Sequence, residues 1–518
     1  GEGYNERRCL SQRYAVGERC TAQLPASRLR RDYLIEKTQR IVNEQSQENT
    51  KPLGPRGGAS TDGVEARRRA LEVLARVERE NRFVDEVLVD EIGTLQTRDR
   101  ALLQEITFGV LRHRITLDAL ISFYLKFPMD QQDARLRHAL RLGAYQLIYL
   151  SKIPPHAAVH RTIEALKVGG GADRRAVGFV NAVLKKLSAD VHRKDAQPSE
   201  DRDDPTVLPI RDGYCHLRRP LLPLIRLDRA GHLALKYSHP KWLVSRWIER
   251  FGEEETRLLC EANNQTPVLT ARVTFRAPSR EEVIDSLRGE GFHAESGELE
   301  NSIYVGRGGE LSSCRALTEH WIQIQDETSI RIGDFLSPPA NARVADFCAA
   351  PGGKAAQLLE RVCDGGHVVA LDRSDEKLAL VVENLSWMGA AYTTHKVPSA
   401  PEELDLGEKF SHILVDAPCS NTGVLARRPE ARWRLTSADI ESLAELQLRL
   451  LEAAYRHLKP GGRMVFGTCS IESSENETVV SRICARHSDL TELKTELFLP
   501  HRTSGDGGFY SLLLRERT

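Results

Sequence analysis

Apolar positions change their spacing several times along the chain, and each change suggests a boundary. Residues 1–62 mix Arg, Gln, Ser, Gly and Pro with no sustained apolar period, which reads as a disordered N-terminal extension. From Val64 the apolar residues recur at helical spacing: Ala70, Val73, Leu74 and Val77, then Val84, Val87 and Leu88, then Leu102, Leu103, Ile106, Val110 and Leu111. These are faces of amphipathic helices. Further helices are predicted over 117–127, 134–150, 156–168 and 176–187, so that 63–189 forms an all-α domain. A charged, proline-containing stretch then opens a linker over 190–232.

A small α+β module is predicted over 233–318. It has helices over 237–251, 253–263 and 280–290 and strands over 269–275 and 303–305. From 319 to 518 strands and helices alternate, at 344–347, 355–361, 367–371, 376–388, 411–415, 440–457 and 462–467. Alternation of this kind predicts an α/β domain with a doubly wound parallel sheet, whose ligands sit at the carboxyl ends of the strands.

Composition narrows the class. With 41% hydrophobic and 28% charged residues and no run of about 20 apolar residues, the chain has no membrane-spanning segment to expect. The first residues are polar and lack the charged-then-apolar pattern of a secretory leader, so a cytoplasmic home is the expectation; nothing in the sequence demands more than a monomer, which is the state expected. Ten cysteines without Cys-x-x-Cys pairs are too few for a disulfide scaffold and do not suggest zinc. The net charge is zero, yet residues 1–190 carry 32 Lys+Arg against 24 Asp+Glu. That surplus of positive charge hints at a polyanionic partner, although charge runs are usually solvated faces. His156 and His160 lie one helical turn apart, but no adjacent Glu or third ligand accompanies them, so no metal is expected.

The candidate chemistry lies at strand ends of the last domain. In Val344-Ala345-Asp346-Phe347-Cys348-Ala349-Ala350-Pro351-Gly352-Gly353-Lys354 a buried strand runs through a glycine turn into a helix. Such a pair of glycines alone fits any strand-to-helix turn; it also lets backbone approach a ligand. Asp372 ends the next strand, where a carboxylate can accept both ribose hydroxyls of a nucleoside cofactor or simply cap a helix. The turn is neither Gly-x-Gly-x-x-Gly nor a phosphate loop, which disfavours NAD and ATP and leaves S-adenosyl-L-methionine.

Two further strands deliver thiols to the same edge: Ile413-Leu414-Val415-Asp416-Ala417-Pro418-Cys419-Ser420 and Met464-Val465-Phe466-Gly467-Thr468-Cys469-Ser470. A free cysteine is most often a small buried hydrophobe. Two at strand ends beside a cofactor turn suit methylation of a pyrimidine carbon, in which a thiolate adds to carbon 6 and a second group removes the carbon 5 proton. Asp416 would hydrogen-bond the cytosine edge. Arg427, Arg428, Arg432 and Trp433, with Arg434, place cations around an aromatic after Cys419, which suits phosphate contact and base stacking or else a solvated loop with one packed Trp.

Two resemblances join these readings. The helical segment, with Arg98-Asp99-Arg100-Ala101-Leu102 and Gly109-Val110-Leu111-Arg112, resembles the NusB-type RNA-binding domain, which implies RNA contact through residues such as Arg98, Arg112 and Arg114. Asp346 to Lys354, Asp416-Ala417-Pro418-Cys419-Ser420 and Thr468-Cys469-Ser470 look like the signature motifs of RNA 5-methylcytosine methyltransferases, and about residues 65–518 are similar to the RsmB (Sun, Fmu) family. The likeness implies a Rossmann-like methyltransferase domain (319–518) behind a NusB-like domain (63–189) and an RNA-positioning module (233–318). It implies S-adenosyl-L-methionine as cofactor and 16S ribosomal RNA as partner. By that likeness Cys469 matches the nucleophile and Cys419 the cysteine that helps resolve the adduct. Cys348, Ala349, Ala350, Pro351, Gly352, Gly353, Lys354, Asp372 and Asp416 match donor-site positions. Gly505-Asp506-Gly507-Gly508-Phe509-Tyr510 resembles the closing strand motif. Ser399 stands where the family usually has an acid touching adenine, and Phe466-Gly467 replaces a common Tyr-Ser. A transfer RNA substrate, or a non-catalytic RNA-binding assembly factor, is the alternative.

Overall fold

The computed structural model describes residues 63–517 apart from 94, 170–172, 196–202, 212, 307, 309–310, 363–364 and 390. The extension expected over 1–62 lies outside the described residues. The chain divides into two units, and the division does not follow sequence order: one holds 63–266 together with Leu425–Trp433, the other Pro267–Val424 and Arg434–Thr518.

The first unit is a bundle of seven helices from Val64–Glu80 to Arg174–Asp190, followed by three more, Arg229–Lys236, Lys241–Phe251 and Glu253–Ala262. The apolar stripes read from sequence are its core: Val73, Leu74, Val77, Leu88, Leu103 and Ile106 are all buried in one cluster. The stretch read as a linker differs from expectation. It contains β1 (Val191–Asp195), β2 (Val207–Ile210) and β3 (Gly213–Leu217), an antiparallel sheet in the order β1-β3-β2. Leu208, Cys215 and Leu217 join the helical core, so a short sheet with one apolar face covers the bundle where a free linker was expected.

The second unit opens with β4 (Leu269–Val273), β5 (Ala294–Ser296), β6 (Ser302–Val305) and β7 (Ile322–Ile324), antiparallel in the order β5-β6-β4-β7, with the helix Arg280–Gly289 beside them. The module expected over 233–318 is therefore divided: its first two helices belong to the helical unit and its strands to this one.

The large sheet holds β8 (Arg343–Phe347), β9 (His367–Asp372), β10 (Tyr392–Lys396), β11 (Phe410–Asp416), β12 (Leu458–Thr468), β13 (Leu490–Phe498) and β14 (Gly508–Arg515), in the order β10-β9-β8-β11-β12-β14-β13. The first five run parallel, whereas β14 is antiparallel to both β12 and β13. The sheet is thus doubly wound but mixed. Alternate residues of single strands feed opposite cores. Ala345, Val369, Ile413 and Met464 face the helices Ser437–Arg456 and Glu477–Arg486, while Val344, Val368, Ala370, Leu414 and Val465 face Glu327–Leu336, Gly353–Val362 and Asp375–Leu385. Strand order reverses between β8 and β11, which opens a crevice at their carboxyl ends. Among the described residues no helix is long and apolar enough to cross a membrane.

Candidate active site

The glycine turn leaves β8 through Cys348, which takes a left-handed φ of 62°, and Gly352 has φ 112°. The second value lies where side chains are strained, so glycine is required there. Backbone bonds fix the turn: Ala349 N donates to Leu371 O at 2.8 Å, Gly352 N to Ala349 O at 2.8 Å, and Asn384 Nδ2 to Pro351 O at 2.7 Å. The loop is tied to the end of β9 as well, because Asp372, 2% exposed, accepts from Ala350 N at 3.2 Å and Arg373 N at 2.7 Å. Lys377 Nζ stands 3.4 Å from the same carboxylate.

Beneath the loop lies Asp346, fully buried, with no hydrogen bond to either carboxylate oxygen. Burial, and then the charge of Asp416, push it well above the carboxylate range. A bare carboxyl inside a buried strand is costly, and sequence reasoning passed over it. The available signal was an acid within the apolar run Val344-Ala345-Asp346-Phe347.

Lys354, in the first turn of the helix after the loop, places Nζ 2.5 Å from Asp416 Oδ2 at the end of β11. Burial disfavours the ammonium, but Asp416 and then Asp346 outweigh it, so Lys354 is held above its ordinary value. Among the described residues Asp416 accepts no other hydrogen bond, which leaves Oδ1 without a protein partner.

The two thiols are brought together. Cys419 Sγ and Cys469 Sγ are 2.9 Å apart, and Cys469 Sγ is 3.3 Å from Asn421 Oδ1. Cys419 is buried, whereas Cys469 is partly exposed. Proton sharing with Cys469, then burial, hold Cys419 well above the usual thiol range, and the nearby negative charge of Glu475 adds to this. Cys419 therefore keeps its proton at neutral pH. Burial pushes the Cys348 thiol up too, which suits a loop residue and not a nucleophile.

Gly423 holds the two thiol loops together through backbone. Gly423 N donates to Cys469 O at 2.9 Å and Gly507 N donates to Gly423 O at 2.8 Å. A Cβ on Gly423 would lie 2.5 Å from Gly507 O. A buried network around Glu475, which also went unread in the sequence, completes the floor. Ser399 is exposed, two residues after Val397, whose N donates to Asp372 O at 2.9 Å.

The cationic stretch after Cys419 is not a solvent-facing loop. Arg432 is fully buried in the helical unit, where it donates to the carbonyls of Arg112, Ser238, Asn263 and Leu425 and to Asn264 Oδ1. Trp433 Nε1 donates to Leu111 O at 2.9 Å, and Arg428 lies 4.3 Å from the Phe83 ring centroid. Arg432, expected to meet RNA, is instead enclosed with both terminal nitrogens bonded within the protein, and the indole N–H of Trp433 is likewise taken up. Arg427 is half-buried. Arg112, expected to face RNA, instead donates to Ala426 O at 2.9 Å. Arg98 is exposed, and Arg114 lines a cleft of about 480 Å³ with Glu78, Asp118, Arg137 and Arg141. His156 is exposed, and His160 faces Glu164 at 3.3 Å.

Residues 334–514 match the family described as 16S rRNA methyltransferase RsmB/F, residues 64–189 the NusB family, and residues 239–310 the RsmF/B-like ferredoxin-like domain. The ribosomal RNA small subunit methyltransferase B of Serratia proteamaculans is 32% identical over 82% of this chain and 92% of its own. That of Klebsiella pneumoniae is 30% identical over 88% and 99%. Among solved structures, PH0851 superposes with a TM-score of 0.69 at 24% identity, covering 89% of this chain and 100% of the other. A methyltransferase homologue from Pyrococcus horikoshii gives 0.50 at 25% identity, over 55% and 99%.

Proposed function

This chain belongs to the RsmB/F family of 16S rRNA methyltransferases, and on that premise we propose that it methylates carbon 5 of a cytosine in 16S ribosomal RNA through a covalent cysteine adduct. The observation that carries the reading is the pair of sulfurs 2.9 Å apart at the ends of neighbouring strands, beside a loop fit for a nucleoside cofactor.

The residues present fit S-adenosyl-L-methionine. Asp372 stands at the carboxyl end of β9, where its acceptors suit ribose hydroxyls. The two orphaned oxygens of Asp346 under the loop need a donor that the chain does not supply, and the ammonium of an amino-acid-bearing cofactor is one. Loop 348–354 lets backbone approach the same space, and Ser399, exposed beyond the end of β10, is assigned the adenine end by its place in the motif. When bound, the cofactor supplies an electrophilic methyl on sulfonium.

Cys469 takes the nucleophile's role because it is the more exposed thiol, whereas its surroundings keep Cys419 protonated. Its sulfur gives its proton to water and adds to cytosine carbon 6, the carbon 5–carbon 6 double bond opens, and carbon 5 gains the electron density with which it takes the methyl. Asp416 Oδ1 accepts from the exocyclic amino edge, while Lys354 fixes the carboxylate from the other side. Cys419 takes the carbon 5 proton as it hands its own to water, so the thiol stays protonated throughout. The double bond re-forms, and the carbon–sulfur bond breaks with its electrons returning to Cys469.

The test is transfer of a labelled methyl from S-adenosyl-L-methionine to 16S RNA, followed by nucleoside digestion. The wild type should yield 5-methylcytidine and Cys469→Ala none. Normal transfer by Cys469→Ala, or label on another atom, would overturn the reading.

A further inference from the structure

Glu475 touches neither sulfur, yet it grips the residue that follows each of them. Its Oε1 accepts from Ser420 N at 2.8 Å and from Gln447 Nε2 at 3.2 Å. Its Oε2 accepts from Ser470 Oγ at 2.6 Å and from Ser420 Oγ. The side chain has no exposure, so four donors converge on one fully enclosed carboxylate. Burial pushes this carboxyl upward and the donors oppose that, Ser420 and Ser470 foremost.

The bland account is an acid that merely satisfies loose loop ends. The choice of partners argues against it. The ladder between β11 and β12 ends at Asp416 opposite Gly467, so both cysteines lie beyond the sheet that could hold them in register. Past that point the loops are joined by Gly423 N on Cys469 O, by hydroxyl contacts of Ser470 with Ser420 and Thr422 at 3.1 Å each, by Ile471 N on Thr422 Oγ1, and by this carboxylate, which gathers the Ser420 and Ser470 hydroxyls and supplies three of its four acceptor contacts to those two residues. Gln447 also donates to Pro418 O at 3.0 Å, which extends the clamp to the residue before Cys419.

We propose that Glu475 is a positioning residue for the thiol pair: by bonding to Ser420 and Ser470 it fixes the spacing between Cys419 and Cys469 on which release of the methylated product depends. The inference rests on the two-thiol reading above. A step that needs a base aimed at one proton is sensitive to displacements of about 1 Å, so loss of the clamp should fall on release more than on binding.

The test uses the full chain and two readouts. The first is closure of a Cys419–Cys469 disulfide by diamide, followed by peptide mass mapping, which reports spacing without catalysis. The second is the lifetime of the RNA-linked protein after a single turnover, with affinity for S-adenosylhomocysteine as a control. Glu475→Ala should slow disulfide closure and lengthen the adduct lifetime by on the order of tenfold to a hundredfold, with affinity for the cofactor product unchanged. Glu475→Gln, which keeps the shape and one acceptor oxygen, should restore most of both. If Glu475→Ala does not fold, the double substitution Ser420→Ala with Ser470→Ala severs both hydroxyl bonds and should slow both steps in the same way. Wild-type closure and release in these variants, or a loss of cofactor-product affinity as large as the kinetic effect, would overturn the inference. Cys469→Ala run alongside separates the two failures. Normal methylation by that variant sinks the two-thiol reading itself, whereas a silent variant beside an indifferent Glu475→Ala sinks the clamp alone.

Discussion

Lys354 Nζ and Asp416 Oδ2 meet at 2.5 Å, joining the first turn of the helix that follows the glycine loop to the end of β11, three residues before Cys419. The contact links the cofactor loop to the proposed base-recognition acid. Removing one partner of a partly buried pair leaves the other uncompensated. Lys354→Met should therefore lower methyl transfer on the order of a hundredfold, about 2.7 kcal/mol, with a smaller effect on stability. Single-turnover rates beside thermal melts check this; an unchanged rate would remove Lys354 from the account.

Gly423 should tolerate no side chain. An added Cβ would meet the Gly507 carbonyl at 2.5 Å and the Cys469 carbonyl at 2.8 Å, both of them backbone. Gly423→Ala should slow transfer by about tenfold or more while cofactor binding, measured by calorimetry, stays near wild type. Equal activity would show that the thiol loops adjust freely.

What the sequence could tell follows physical lines. The parallel strands β8, β9, β11 and β12 were legible because they are buried on both faces and read as apolar runs. The strand Tyr392–Lys396 was not, because it lies at the sheet edge and exposes much of its length. Strands β1 to β3 were hidden in a stretch rich in charge, since only one face of that small sheet is apolar. At the site, short motifs marked Cys419, Cys469 and loop 348–354, and the structure brings the two thiols together. Glu475 lay unread because Glu472, Glu475 and Glu477 look like a solvated acidic run, and nothing local says that Glu472 and Glu475 turn inward. Arg432 misled for the converse reason: a cation in an Arg-rich stretch gives no sign that a second chain segment will bury it.

That burial carries its own prediction. Arg432 makes five hydrogen bonds within the helical unit, and burial pulls its pKa down to about 9. A lysine cannot reproduce the planar fork. Arg432→Lys and Arg432→Met should each destabilise the protein by roughly 3 kcal/mol or more in urea denaturation, since several buried carbonyls lose their donors. An unchanged midpoint would mean that water replaces the guanidinium.

His412, in β11, gives a stability dependence on pH. Burial, and then Arg463, depress its pKa to about 4, so the folded state resists a proton that the unfolded chain takes up near 6.5. The sign follows: its contribution is fully present above pH 6.5 and is lost as pH falls from 6.5 toward 4. His412→Asn should flatten the melting temperature across that window relative to wild type. An identical slope in the variant would assign the acid sensitivity elsewhere.

The most direct test of the two-thiol account is denaturing electrophoresis of Cys419→Ala after incubation with 16S RNA and S-adenosyl-L-methionine. The account predicts a stable protein–RNA band that carries the donor methyl and disappears in the Cys419→Ala, Cys469→Ala double variant. Methylated free RNA released at the wild-type rate, with no covalent band, would contradict it.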